Sequence, residues 1–206
     1  MKKYVIGIDE VGRGALAGPI FVTALALPKN FRRRESSFLP LKDSKKLRPS
    51  IREQWLKYVD RRQDIFYATS KISPKKIDIF NISRAANIAA SRAMVKLVSK
   101  YDIFCRSSVF LDGGLYLDKK TIEKLNLKRK PKTIIKGDEK INAIKLASVV
   151  AKVKRDRFMI KLHEKHPNYE FNIHKGYGTK KHREAIEKNG YSSEHRLSFK
   201  FKAKSV

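Results

Sequence analysis

What most constrains the fold is the opening of the chain. Two apolar runs rich in Val, Ile and Phe, "YVIGI" from Tyr4 to Ile8 and "PIFVTALAL" from Pro19 to Leu27, flank the segment "DEVGRGALAG". Such composition reads as two strands rather than a helix, so the chain is committed to a sheet from its first element. The segment between them contains "GRGALA", a match to G-x-G-x-x-G/A. A dinucleotide fold needs a helix that starts at those glycines and turns its N-terminus to the pyrophosphate. Here Gly18-Pro19 leads straight into a β-branched run, and Asp9 and Glu10 would set two negative charges beside the phosphates. That reading is excluded.

Strand and helix patterns then alternate. "SIREQWLKYVDRR" carries Ile51, Trp55, Leu56 and Val59 at helical spacing behind Pro49, which suits a first turn. "DIFYATSKIS" reads as a strand. "ISRAANIAASRAMVKLVSKY" is a helix with Ile82, Ala86, Ala89, Ala90, Ala93, Met94 and Leu97 on its inner face. "IFCRSSVFLDGG" returns to strand and ends at a turn beyond Asp112, and "KTIIKGD" is read as a short strand ending at Asp138. A helical pattern runs from Lys140 to His166 and another from Thr179 to Lys188, stopped by Asn189 and Gly190. No repeat or linker separates two cores, and 206 residues suit one α/β domain that opens with strands and closes with helices.

The charge points to a partner. With 48 Lys and Arg against 20 Asp and Glu the formal charge is +28, and self-repulsion of that size is tolerated when a polyanion is the usual partner. The plainer reading is a lysine-rich solvated surface. Cys105 is the only cysteine, so no internal disulfide forms, and its strand context suggests core packing. The N-terminus does not read as a signal peptide, and the apolar stretch from Ala15 to Pro28 falls short of the roughly 18 residues of a membrane span. The expectation is a soluble cytoplasmic protein.

Within this basic chain, Asp9, Asp112 and Asp138 each lie at or beside an expected strand end next to glycine, in "GIDE", "FLDGG" and "IKGDE". Carboxylates gathered at neighbouring strand ends raise one another's pKa unless a cation neutralises them. Oxygen ligands of this kind suit Mg²⁺ or Mn²⁺, with substrate phosphate completing the shell, which suggests metal-assisted phosphodiester hydrolysis. Taken singly, each acid could equally cap a turn. Asp9 and Glu10 pose a difficulty, because neighbours in a regular strand face opposite ways. The expectation is that the strand ends or twists there, as Gly12 and Gly14 permit.

The chain resembles ribonuclease HII over nearly its whole length. "GIDEVGRGALAGP", "LKDSKKL", "DIFNI", "FLDGG", "KGDEKINAI", "ASVVAKVKRDRFM", "HKGYGT" and "HRLSF" appear in the family's order. The resemblance implies a ribonuclease H fold over residues 1–206, a five-stranded mixed sheet flanked by helices, with the helical part from about 165 to 206 contributing to substrate binding. It implies an endonuclease acting on the RNA strand of RNA–DNA hybrids and nicking 5′ of single ribonucleotides in duplex DNA, leaving a 5′-phosphate and a 3′-hydroxyl. It further implies Asp9, Glu10, Asp112 and Asp138 as ligands of two Mn²⁺ or Mg²⁺ ions, one activating water and the other stabilising the leaving oxygen. Gly12, Arg13 and Gly14 would line the site where the 2′-hydroxyl is sensed, and Tyr177 would stack on the sugar of the following deoxynucleotide. Lys45, Lys46, Lys136, Lys152 and Arg196 match positions near nucleic acid, and Asp156 matches a family acid that could instead pair with a neighbouring base. Ala15 replaces a frequent proline, and the sister type, ribonuclease HIII, carries a different residue in place of Arg13. The enzyme is expected to act as a monomer without a membrane.

Two other classes make different predictions. A basic binding protein without catalysis would keep its function when Asp112 is replaced. A different two-metal nuclease on the same fold would cut substrates that lack any 2′-hydroxyl.

Overall fold

The strand β2 (Ile20–Pro28) is buried along its whole length, which is why its sequence is continuously apolar rather than alternating. It lies inside a five-stranded sheet of order β3-β2-β1-β4-β5 in a computed structural model that describes residues 3–31, 41, 44–101 and 107–199. β1 (Tyr4–Val11) and β3 (Phe66–Ile72) run antiparallel to β2, whereas β4 (Ser108–Asp112) runs parallel to β1 and β5 (Lys132–Ile134) parallel to β4. The sheet is therefore mixed and flanked by helices, as the resemblance implied. Cys105 and the basic tail from residue 200 lie outside the described residues.

Helices cover both faces. Three precede β4: α1 (Pro49–Arg61), the short α2 (Pro74–Phe80) and α3 (Ile82–Tyr101). On one face Ile6, Ile8, Val22 and Ala24 pack against the alanine-rich side of α3, where Ala86, Ala89, Ala90 and Ala93 are fully buried. Three further helices follow β4: α4 (Lys119–Lys124), α5 (Gly137–Lys140) and the long α6 (Asn142–Lys165). On the other face Leu25 and Leu27 meet Trp55, Leu56 and Val59 of α1 and Ala147, Val149 and Val150 of α6. The small residue Gly7 lets α6 approach β1 closely, since a Cβ there would stand 2.2 Å from the Ala143 carbonyl carbon. The chain closes with α7 (Phe171–His174) and α8 (Lys180–Asn189), whose Phe171 and Ile186 form a third cluster with Ala17 and Met159.

Two sequence expectations are corrected. β1 does not stop at Ile8 but stays paired with β2 through Val11, so Asp9 and Glu10 lie within the strand. Asp138 is not at a strand end: β5 stops at Ile134, Lys136 turns the chain in the left-handed conformation (φ 54°), and Asp138 is the second residue of α5.

Candidate active site

The difficulty of adjacent acids on one strand is resolved at the strand's edge. The parallel pairing of β1 with β4 ends at Ile8 with Leu111, so beyond Ile8 one side of β1 is open. Asp9 faces the α6 side and Glu10 the α3 side, yet both can reach around that free edge. The N–H of Glu10 donates to Asp9 Oδ1 at 2.7 Å, which draws the Asp9 carboxylate forward along the strand. One oxygen from each of Asp9, Glu10 and Asp112 then lies within 4.8 Å of the others.

Charge is concentrated here at a cost. Asp9 is almost fully buried, and burial followed by the nearby Glu10 and Asp112 charges holds its carboxyl well above the ordinary range. Burial also pushes Glu10 up to about 7; Asp112 raises it further, and Arg13 and Lys45 pull the other way. Glu10 Oε2 is buried without a hydrogen-bond partner. A pocket of three carboxylates with an orphaned buried oxygen and raised pKa values fits a hard divalent cation, because a cation relieves both the repulsion and the unmet oxygen.

Asp112 and Asp138 meet differently. Asp112 Oδ1 accepts the N–H of Gly137 at 2.7 Å and that of Asp138 at 3.4 Å, so the end of β4 is tied to the start of α5. Asp138 is buried beside this contact, outside the group of three.

The segment from Gly12 to Pro19 is the second part of the site. Arg13 reaches across it, with Nη1 3.6 Å from Glu10 Oε1 and Nη2 donating to the Ser83 hydroxyl of α3 at 2.8 Å. Gly12 has φ +89°, and a Cβ there would collide with Arg155 Nε at 2.2 Å, whereas a Cβ on Gly14 would meet nothing. Gly14 therefore faces open space. Tyr177, half-buried, forms a β-bridge with Ala15 and lies under the Arg155 guanidinium at 5.3 Å from ring centroid to Cζ.

The remaining basic positions divide. Lys45 and Lys46 stand exposed on a short 3₁₀ turn, Ser44–Lys46, with Lys46 3.9 Å from Glu139. Lys152 is bonded to Asp156 at 2.7 Å, the local ion pair that the helix spacing allowed, and Asp156 also lies 3.5 Å from Arg52. Arg196 is 1% exposed, and its guanidinium donates to the carbonyls of Gly12, Arg13 and Gly18 rather than facing solvent.

Sequence reasoning passed over two residues of α6. Ser148 of α6 hydrogen-bonds the Asp9 carboxylate and lies 2.7 Å from the Ser44 hydroxyl. Arg155, one heptad on, donates to the carbonyls of Ala17, Pro19 and Lys175. The available signal was a lone serine and a lone arginine on the otherwise apolar face of a buried helix. Behind Tyr177, the histidines form a neutral relay. His182 Nδ1 donates to the Tyr177 carbonyl at 3.0 Å and His195 Nδ1 accepts from the Ser192 N–H at 2.9 Å, so His195 Nε2 must donate to His182 Nε2, 3.1 Å away.

Comparison with known proteins agrees with this fold. The family model described as Ribonuclease HII matches residues 6–202. A ribonuclease HII of Treponema denticola is 39% identical over 94% of this chain and 96% of its own length. Among solved structures, the chain resembles that of the PCNA:RNase HII complex from Archaeoglobus fulgidus (TM-score 0.72, 23% identity, 100% of this chain and 98% of that one). It also resembles Bst-RNase HIII in complex with Mn²⁺ (TM-score 0.72, 18% identity, 96% of this chain and 67% of that one). Those two likenesses speak to the fold.

Proposed function

The chain belongs to the ribonuclease HII family, metal-dependent nucleases of the type 2 ribonuclease H class, and on that footing we propose that it cleaves the RNA strand of RNA–DNA hybrids and nicks duplex DNA on the 5′ side of single embedded ribonucleotides. The observation that carries this reading is the convergence of Asp9, Glu10 and Asp112 beside the Gly12–Gly14 turn. Metal chemistry and sugar recognition then stand next to each other.

Asp9, Glu10 and Asp112, with Asp138 beside them, would hold two divalent ions, Mg²⁺ or Mn²⁺. When bound, such ions supply an activated water and neutralise charge on the scissile phosphate and its leaving oxygen. The protein's own residues do the rest. Ser148 and the Glu10 amide fix the Asp9 carboxylate, and the Gly137 and Asp138 amides fix Asp112. Arg13 balances part of the carboxylate charge from the side of α3. Gly12, Arg13 and Gly14 present main-chain groups to the ribose, and the open face at Gly14 admits the sugar. Tyr177, held against Ala15, packs on the next sugar. Lys45 and Lys46, exposed on the Ser44–Lys46 turn, would meet phosphates.

The test is cleavage of a labelled duplex carrying one ribonucleotide, with Mg²⁺, Mn²⁺ or chelator, beside an all-DNA control. A metal-dependent nick 5′ of the ribonucleotide, leaving 5′-phosphate and 3′-hydroxyl ends and absent from the control, is the expected outcome. Equal cutting of both duplexes would discard the sugar-sensing part of the reading. Binding without cutting under any metal would discard the nuclease.

A further inference from the structure

Two fully buried arginines from distant parts of the chain converge on the Gly12–Pro19 segment. Arg155 comes from α6 and Arg196 from the stretch beyond α8, and they are 0% and 1% exposed. Among the described residues neither forms an ion pair with a carboxylate. Their N–H groups go to main-chain carbonyls instead. Arg196 Nη1 donates to Arg13 O at 2.8 Å, Nη2 to Gly12 O at 2.7 Å and to Gly18 O at 2.8 Å, and Nε to Gly18 O at 3.0 Å. Arg155 takes the carbonyls of Ala17 at 3.1 Å and Pro19 at 3.0 Å. Burying a guanidinium without a carboxylate is costly, and a planar fork of donors suits this task in a way that an ammonium does not.

The consequence follows from peptide geometry. All peptide bonds described here are trans, so each C=O points opposite to the N–H of the next residue. Drawing the carbonyls of Gly12 and Arg13 inward to Arg196 aims the amides of Arg13 and Gly14 outward. The amides of Leu16, Ala17 and Gly18 are bonded to Gly176 and Glu194 carbonyls, and that of Ala15 to Gly12. Among the described residues, those of Arg13 and Gly14 make no hydrogen bond. They form two successive free donors on the open side of the turn, next to the Arg13 side chain that reaches Glu10.

We infer that Arg196 is a positioning residue for sugar discrimination: it holds the Gly12 and Arg13 carbonyls inward so that the Arg13 and Gly14 amides are aimed at the ribose 2′-hydroxyl. This rests on the reading that the Gly12–Gly14 turn senses the ribose. Arg155 fixes the other half of the same segment and joins it to Tyr177. The leverage lies in the fork. Arg196 makes four donations to three carbonyls from three nitrogens of a rigid plane, whereas a lysine of equal charge has three donors on a single nitrogen.

The test uses the full chain carrying Asp112→Asn, so that the substrate survives, and compares it with the Asp112→Asn/Arg196→Lys double variant. Fluorescence anisotropy gives the Kd for two duplexes that differ only in one 2′-hydroxyl. In the parent the ribonucleotide duplex should bind about tenfold more tightly, as expected of a hydroxyl held by two preset donors. In the double variant that preference should fall to within about twofold while the Kd for all-DNA duplex stays unchanged, because phosphate contacts are intact. A merely structural role would weaken both duplexes alike and leave the ratio where it was, which overturns the inference. Should Arg196→Lys fail to fold, Asp78→Asn serves in its place. The Asp78 carboxylate holds the amides of Leu197 and Ser198 at 3.0 Å each, and its loss should lower the ratio in the same direction. An unchanged ratio there also overturns the inference. No preference in the parent would mean that the turn does not sense the sugar at all, and the inference would fall with that reading.

Discussion

Asp112 Oδ1 accepts the Gly137 N–H at 2.7 Å, so the acid at the end of β4 is oriented by the first residue of α5. A Cβ on Gly137 would stand 2.6 Å from Ile144 Cδ1 and 3.3 Å from that same oxygen. Gly137→Ala should therefore displace the carboxylate without removing it, lowering kcat up to about 100-fold with a small effect on KM. Asp112→Asn should lower cleavage by at least about a thousandfold while leaving hybrid affinity within a few-fold. Gel-based turnover and anisotropy on the same substrates measure both. Retained cleavage by Asp112→Asn would remove this residue from the chemistry.

The buried acids make the metal-free protein sensitive to rising pH. Glu10 has its pKa raised from 4.5 to about 7. Between those values the unfolded chain has lost the proton that the folded chain keeps, so stability falls as pH rises. A divalent cation relieves this penalty. Mg²⁺ or Mn²⁺ should thus raise the Tm more at pH 8 than at pH 5, and Glu10→Gln should stabilise the chelated protein at pH 8 by roughly 1–3 kcal/mol. Calorimetry with and without chelator gives the comparison; equal metal shifts at both pH values would contradict it.

The histidine relay gives the opposite slope, and locally. Burial first of all depresses His182 and His195 from 6.5 to about 4. Their stabilising contribution is complete above the ordinary histidine range and is lost as pH falls through that window, at about 1.4 kcal/mol per pH unit per histidine. The amides of Leu16, Ala17 and Gly18 bond to carbonyls of this lobe. Their hydrogen-exchange protection factors should drop between pH 7 and pH 5, whereas those in α1 should hold. Unmoved protection at these three amides would rule out the coupling.

Asp156 ties Lys152, at 2.7 Å, to Arg52, at 3.5 Å. Arg52 in turn holds the carbonyls of Ser44 and Leu47 on either side of Lys45 and Lys46. Asp156→Asn should cost about 1–3 kcal/mol by leaving two partly buried cations short of charge, and should raise KM several-fold through the Ser44–Lys46 turn. Lys46→Ala should shift KM with almost no change in Tm. Thermal melts and steady-state kinetics on both variants separate the two effects.

Much of this was legible in the sequence. The helix from Ile82 to Tyr101 and the burial of Trp55, Leu56 and Val59 follow from spacing alone. The short helices did not show. Pro74–Phe80 and Lys119–Lys124 span too few turns for periodicity to register, although Asp118, which caps the latter by accepting the Thr121 N–H, is an ordinary cap residue. Asp138 was misplaced because "KTIIKGD" reads as a continuous strand, while the left-handed turn at Lys136 depends on packing. Arg155 was the hardest to find, and Arg196, matched to a position near nucleic acid, turns its guanidinium to main-chain carbonyls instead. In a chain with 48 basic residues, nothing local distinguishes a buried guanidinium from a solvated one. The position of Arg155 on the apolar face of α6 was the one clue.

The register of the sheet also sets an order of assembly. β1 can pair with β2 as soon as both have left the ribosome, but its parallel neighbour β4 is made roughly a hundred residues later. Through most of synthesis, then, β1 carries an open edge, and Asp9 and Glu10 have no Asp112 to crowd them. The repulsive charge cluster comes into being only when the sheet closes. A nascent or truncated chain ending before Asp112 carries both strands of the β1–β2 pair but only two of the three gathered carboxylates.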